Sequence, residues 1–114
     1  MIRGAVLMAL VLMALSLSPG GAEAVERRPL SPAAQRGHVF VQANCSRCHA
    51  VERVGASPLA IAPPFRTLHR RYPVESLQES LGEGIITGHP SMPEFQLDPG
   101  QVNDVIAYLK SLER

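Results

Sequence analysis

The sequence predicts an all-α domain in which three main helices are joined by two long loops. Three observations lead there. Apolar residues recur at helical spacing in three segments, each opened by a proline or a capping side chain. No segment alternates apolar and polar residues over the length of a strand. The stretches between the helical segments are rich in Gly, Ala, Ser and Pro and carry no helical period.

The first helix opens at Ser31-Pro32, with Ser as N-cap and Pro at the first helical position, and runs to about Asn44. Gly37, Phe40, Val41 and Asn44 fall at i, i+3, i+4 and i+7, which predicts one packed face. Val51 to Phe65 reads as a loop. Pro73 starts a second helix, about Pro73 to Leu81, with Val74, Leu77 and Leu81 on one side. Gly82, Gly84 and Gly88 punctuate the stretch that follows, leaving room for one turn at residues 84–87. Gly88 to Leu97 is the second loop and holds His89, Met92 and two prolines. Asp98-Pro99-Gly100-Gln101 is a capping box that starts the last helix, which runs to about Leu112. Val102, Val105, Ile106, Leu109 and Leu112 form its buried stripe. Loops this long are uncommon in a compact domain unless they have something large to pack on.

The 114 residues are too few for two ordinary domains. The first 24 read as a signal peptide. Arg3 supplies the positive start, Ala5 to Leu17 is almost wholly apolar, and Ala22-Glu23-Ala24 is a small-x-small cleavage site. The apolar run falls short of the ~20 residues that a spanning helix needs, so an uncleaved anchor is the lesser reading. Removing residues 1–24 takes away Arg3 and Glu23, and the net charge stays at +1. That balance does not suggest a nucleic-acid partner. Residues 25–114 are then a single exported domain, expected in a bacterial periplasm or an equivalent compartment. With no Trp, two Tyr and three Phe, its core is thin for its size. Domains this small often depend on a staple or a cofactor.

Cys45-Ser46-Arg47-Cys48-His49 supplies the cofactor reading. Two thiols three residues apart followed by an imidazole form the attachment pattern of c-type haem. Two cysteines at this spacing can form thioethers to the two vinyl groups of one porphyrin, which would hold His49 beneath the ring with a nitrogen toward the iron. Other chemistries fit less well. A disulfide between Cys45 and Cys48 would close only a four-residue loop, and a thioredoxin-like role would want a βαβ pattern around the CxxC. Zinc would need both cysteines and two of His38, His49, His69 and His89, whose spacing is not finger-like.

With these motifs the chain resembles the class I c-type cytochromes, the small monohaem cytochrome c family, over about residues 31–113. The resemblance rests on Cys45-Ser46-Arg47-Cys48-His49, on Gly37 eight residues before Cys45, on Ile106-Ala107-Tyr108-Leu109, and on Met92-Pro93-Glu94-Phe95. A large aromatic is usual four residues before the first cysteine. Here Val41 stands there and Phe40 one earlier. The resemblance implies a cytochrome c-like fold, with three main helices and long loops wrapped around one covalently bound haem c. It implies that the last helix crosses the first at Gly37. It also implies Met92 as distal iron ligand, 43 residues after His49; Met1, Met8 and Met13 all lie in the leader. A thioether suits low-spin haem iron and raises its potential. His89 is the competing ligand, ahead of His38 and His69. A proline carbonyl after the haem motif is implied as acceptor for the other nitrogen of His49. Pro63 fits the register and Pro64 is the alternative.

The expected function is one-electron transfer between redox partner proteins. With both axial positions filled, the iron offers no site to a substrate, which argues against an enzyme. No Ser-His-Asp, paired-carboxylate or phosphate-loop arrangement is present either. A gas-binding or sensing protein with a labile distal ligand, and a haem subunit of a larger oxidoreductase, are the alternatives. Arg66, His69, Arg70 and Arg71 form a basic cluster whose roles span a solvated face, a contact to a haem propionate and a docking patch. Arg47 is a further candidate for docking.

Overall fold

Ser31 and Pro32 start helix α1 (Pro32–Asn44) as the sequence predicts. The Ser31 hydroxyl accepts from the Ala34 N–H at 3.2 Å. This computed structural model describes residues 28–84 and 91–113. The leader, the turn expected at 84–87 beyond Gly84 itself, and His89 therefore lie outside the described residues. Among those described, every element is helical: α1, a 3₁₀ helix at Phe65–Arg70, a 3₁₀ turn at Val74–Ser76, α2 (Leu77–Glu83) and α3 (Pro99–Ser111).

Helices α1 and α3 make the main packing layer. Val41 is 1% exposed, and it packs with Ala34, Val105, Ile106, Tyr108 and Leu109 in one apolar cluster. The whole predicted stripe of α3 is buried, and Tyr108 joins it. The buried line on α1 is Ala34, Gly37 and Val41. Asn44, expected on that face, is exposed, and its amide donates to the Phe40 carbonyl at 2.8 Å. Ala34, small and one turn before Gly37, suits the close crossing better than a polar residue at the helix end. Phe40 lies half-buried at the margin of the core, while the shorter Val41 occupies its centre.

The crossing is close because Gly37 has no side chain. A Cβ there would overlap the backbone carbonyl of Asp104 and come within 3.0 Å of the Tyr108 Cβ. Polar contacts frame the crossing. Arg36 grips Asp104 through two bonds of 2.8 Å, and the Tyr108 hydroxyl donates to the Val51 carbonyl at 2.7 Å. The Asp104 carboxyl is held below its ordinary range, chiefly by its hydrogen bond to Arg36. The Tyr108 phenol is pushed up to about 12, first by burial and then by the Glu52 charge.

The second predicted helix is displaced. Pro73 sits outside it, and residues 74–76 wind as a 3₁₀ turn closed by the Ser76 N–H on the Pro73 carbonyl at 3.0 Å. The α-helical part begins only at Leu77 and continues past Leu81 to Glu83. Gly84 ends it at φ +103°, a conformation that side chains rarely adopt. The 3₁₀ helix at Phe65–Arg70 was not expected. Pro64 opens it, accepting both the Thr67 N–H at 2.9 Å and the Thr67 hydroxyl at 2.7 Å.

Candidate functional site

Cys45, Cys48 and His49 come together because α1 does not stop abruptly. The Cys45 N–H still bonds the Val41 carbonyl at 2.8 Å, and the Cys48 and His49 N–H groups then fold back on the Cys45 carbonyl at 3.2 and 2.9 Å. This extra turn places both thiols and the imidazole on one wall of a cleft. Both cysteines are half-buried, and no disulfide joins them. Before attachment, burial and secondarily the neighbouring Cys48 push the Cys45 thiol up to about 11.

A second wall comes from the loop at 51–64, which has no regular structure but is tied at several points. The Leu59 N–H donates to Cys48 at 3.1 Å, the Phe65 N–H to Ala50 at 2.9 Å, and the Ala50 N–H to the Ser57 hydroxyl at 3.0 Å. These ties bring the Pro63 carbonyl 2.9 Å from His49 Nδ1. A carbonyl can only accept, so Nδ1 carries a proton, and in the neutral ring Nε2 is the nitrogen with the lone pair. The Phe65 ring lies 4.9 Å from the imidazole and limits its rotation. Pro64, the alternative acceptor, is engaged by Thr67 instead.

The third wall is Ser91, Met92, Pro93 and Phe95. Cys45, Cys48, His49, Pro63 and Met92 thus line one cleft, together with the apolar Leu59, Ile61, Ala62 and Phe65. Ile61 is 66% exposed although it lines the cleft, and Leu59 is 38% exposed. A flat apolar group seated between these walls would cover both. A porphyrin matches this arrangement: two cysteines, a histidine held by Pro63 and a methionine line a mainly apolar slot, with Asn44, Arg47 and Ser91 as its polar positions.

The other histidines stand apart. His38 pairs with Glu52 at 2.6 Å and its ring lies 4.9 Å from Tyr108, while His69 lines a separate cleft. Neither joins the thiols, so the zinc set does not assemble through them. The basic cluster divides. Arg66, His69 and Arg70 face that second cleft, Arg71 lies exposed outside both, and Arg47 lines the first cleft. Sequence reasoning missed Leu59, Ile61 and Ser57. Two are apolar and one a hydroxyl in an irregular loop, where no periodicity marks a lining position.

Residues 34–113 match the Cytochrome c family. A cytochrome c-553-like protein of Synechocystis is 31% identical over 80 residues, covering 69% of each chain. A cytochrome c-552 of Bradyrhizobium diazoefficiens is 35% identical over 68 residues, or 60% of this chain and 64% of that one. No solved structure matches. The two thiols in CxxCH spacing, the apolar slot and the family match agree, and the chain belongs to the cytochrome c family as an electron carrier with covalently bound haem c.

Proposed function

We propose that the chain is a periplasmic monohaem cytochrome that passes single electrons between redox partner proteins through a His/Met-ligated iron. Residues 1–24 are the cleaved leader, and 25–114 are the working domain. No helix among the described residues is long and apolar enough to cross a membrane.

The observation that carries the reading is the His49 ring. Its Nδ1 is committed to the Pro63 carbonyl at 2.9 Å, so Nε2 is the nitrogen left for iron. Met92, which lines the same cleft, would be the second protein ligand to the iron. Cys45 and Cys48 anchor the porphyrin, each S–H adding across one vinyl group with no net oxidation. When bound, the haem iron supplies the one-electron couple. The protein's part is to hold the ligand set rigid, exclude water with Leu59, Ile61, Phe65 and Phe95, and leave one edge open to partners. With His49 and Met92 both held on the iron, no position would remain for a substrate, which is why we read the protein as a carrier and not an enzyme.

The test is spectroscopic and uses the haem-loaded protein recovered from the periplasm. Its mass should equal the chain from residue 25 plus one haem, with haem lost only when both Cys45 and Cys48 are replaced by Ala. The oxidised protein should show the weak near-infrared methionine–iron band. Met92→Ala should remove that band, admit carbon monoxide to the ferrous iron and lower the potential. If His89→Ala opened the iron and Met92→Ala did not, the His/Met assignment would be wrong. Ready carbon monoxide binding by the unmodified protein would favour a sensor.

A further inference from the structure

We propose that the second cleft, on the Arg66 face, binds a small oxyanion of the phosphate class, independently of the haem reading. Arg53, Arg66, Arg70, Thr67, His69 and Glu113 line it, with Leu112 beneath. Three guanidiniums meet one carboxylate there, so the cleft has an excess of positive charge while the whole chain is near neutral.

The arginines are not equally committed. Arg53 donates to the Ser111 carbonyl at 2.5 Å and so answers the negative end of α3. Arg66 and Arg70 take part in no ion pair among the described residues, whose ion pairs are Arg36–Asp104, His38–Glu52 and Lys110–Glu75. Arg66 is the more telling. Its Nη1 is closed off from solvent and has no hydrogen-bond acceptor among the described residues. A buried charged donor without an acceptor is costly, and native folds rarely keep one without a reason. An oxygen acceptor entering the adjoining cleft would supply the missing partner after a small turn of the guanidinium. Guanidinium groups suit a tetrahedral oxyanion because their parallel N–H bonds match two of its oxygens. Thr67 is not free to help as a donor, since its hydroxyl is spent on Pro64. The site therefore rests on Arg66 and Arg70.

The experiment is a titration of the haem-loaded protein with inorganic phosphate at fixed ionic strength, followed by amide and Arg side-chain NMR shifts and by calorimetry. Saturable binding localised to residues 53, 66–70 and 113 is expected, with matched sodium chloride giving no saturation. Arg66→Gln should weaken binding by about tenfold or more, the range for a hydrogen bond to a charged group. Arg70→Gln, an exposed position, should weaken it with no loss of fold. Glu113→Gln should tighten it by about threefold through removal of a like charge. Shifts that grow linearly with phosphate, or Arg66→Gln and Arg70→Gln binding as tightly as the unmodified protein, would overturn the proposal. So would saturation by a poly-glutamate peptide but not by phosphate, which would make this face a protein-docking surface. Haem absorption and potential are not read, so the result is separate from that of the ligation experiment.

Discussion

Replacing Gly37 with Ala tests the crossing of α1 and α3, on which the haem wall hangs. The new methyl would lie 2.6 Å from the Asp104 carbonyl carbon and 3.0 Å from the Tyr108 Cβ, and it would overlap the Asp104 oxygen. Comfortable carbon–carbon contact is ~3.5–4.0 Å, so the helices must part by about 1 Å. Overpacking costs ~1–3 kcal/mol, and the upper end applies because the clash is with backbone, which cannot rotate away. Moving α3 also strains the Tyr108–Val51 bond that ties it to the loop after the haem motif. Against this, Ala is better than Gly inside a helix by about 1 kcal/mol. The net expectation is a loss of about 2 kcal/mol, or a drop in Tm of about 8–16 °C for a domain of this size. Gly82→Ala is the matched control. Its Cβ would meet only Val102 Cγ2, at an ordinary 4.0 Å, so the same chemical change should stabilise by about 0.5–1 kcal/mol. Thermal and urea denaturation of the two haem-loaded variants reads both values. A Gly37→Ala protein within about 0.5 kcal/mol of the original, or a Gly82→Ala protein that loses as much as Gly37→Ala, would refute the reasoning, since such changes are well inside the range of neutral surface substitutions.

Tyr108→Phe removes the donor to a buried carbonyl and should cost about 1–3 kcal/mol at neutral pH, measured by urea midpoint. The Tyr108 phenol titrates higher folded than unfolded, so its stabilisation is full below pH ~10 and fades as pH rises from there to about 12. The gap between the two proteins should narrow over that window, and a constant gap would count against it. Asp104 runs the other way. Its folded value is lowered by Arg36, so the pair stabilises above the ordinary Asp range and fades as pH falls through the lowered value. Asp104→Asn should accordingly be less stable than the original at pH 7 and equally stable in strong acid. Removing the haem uncovers Leu59, Ile61, Phe65 and Phe95 in a domain with little other apolar bulk. Several hundred Å² at about 25 cal/mol per Å² is on the order of 10 kcal/mol, comparable to the whole stability of a small domain. The haem-free chain should show little helix by circular dichroism, and a cooperative melt with full helix content would contradict that.

What the sequence determined by itself is local. The caps of α1 and α3 act over three residues, so Ser31-Pro32 and Asp98-Pro99-Gly100-Gln101 mark those helix starts without knowledge of the fold. The five residues of the haem motif are chain neighbours, and their chemistry follows from spacing alone. The α3 stripe is legible because one face of a 13-residue helix is buried along its length. The tertiary structure decided whatever depended on which groups meet. The choice between Pro63 and Pro64 turns on competition: Thr67 claims one carbonyl and leaves the other for His49. The buried line of α1 takes Ala34 and not Asn44 because α3 crosses at Gly37, an approach no single helix can report. The start of α2 shifted from Pro73 to Leu77 because a proline permits a tight 3₁₀ turn as readily as a helical one. The four basic residues at 66–71 looked like one patch, yet along the 3₁₀ helix Arg66 and His69 are one full turn apart, Arg70 is a third of a turn further, and Arg71 lies just past the helix end. Arg66, His69 and Arg70 thereby join Arg53 in a cleft while Arg71 faces solvent, an assembly of sequence-distant charges that only packing creates.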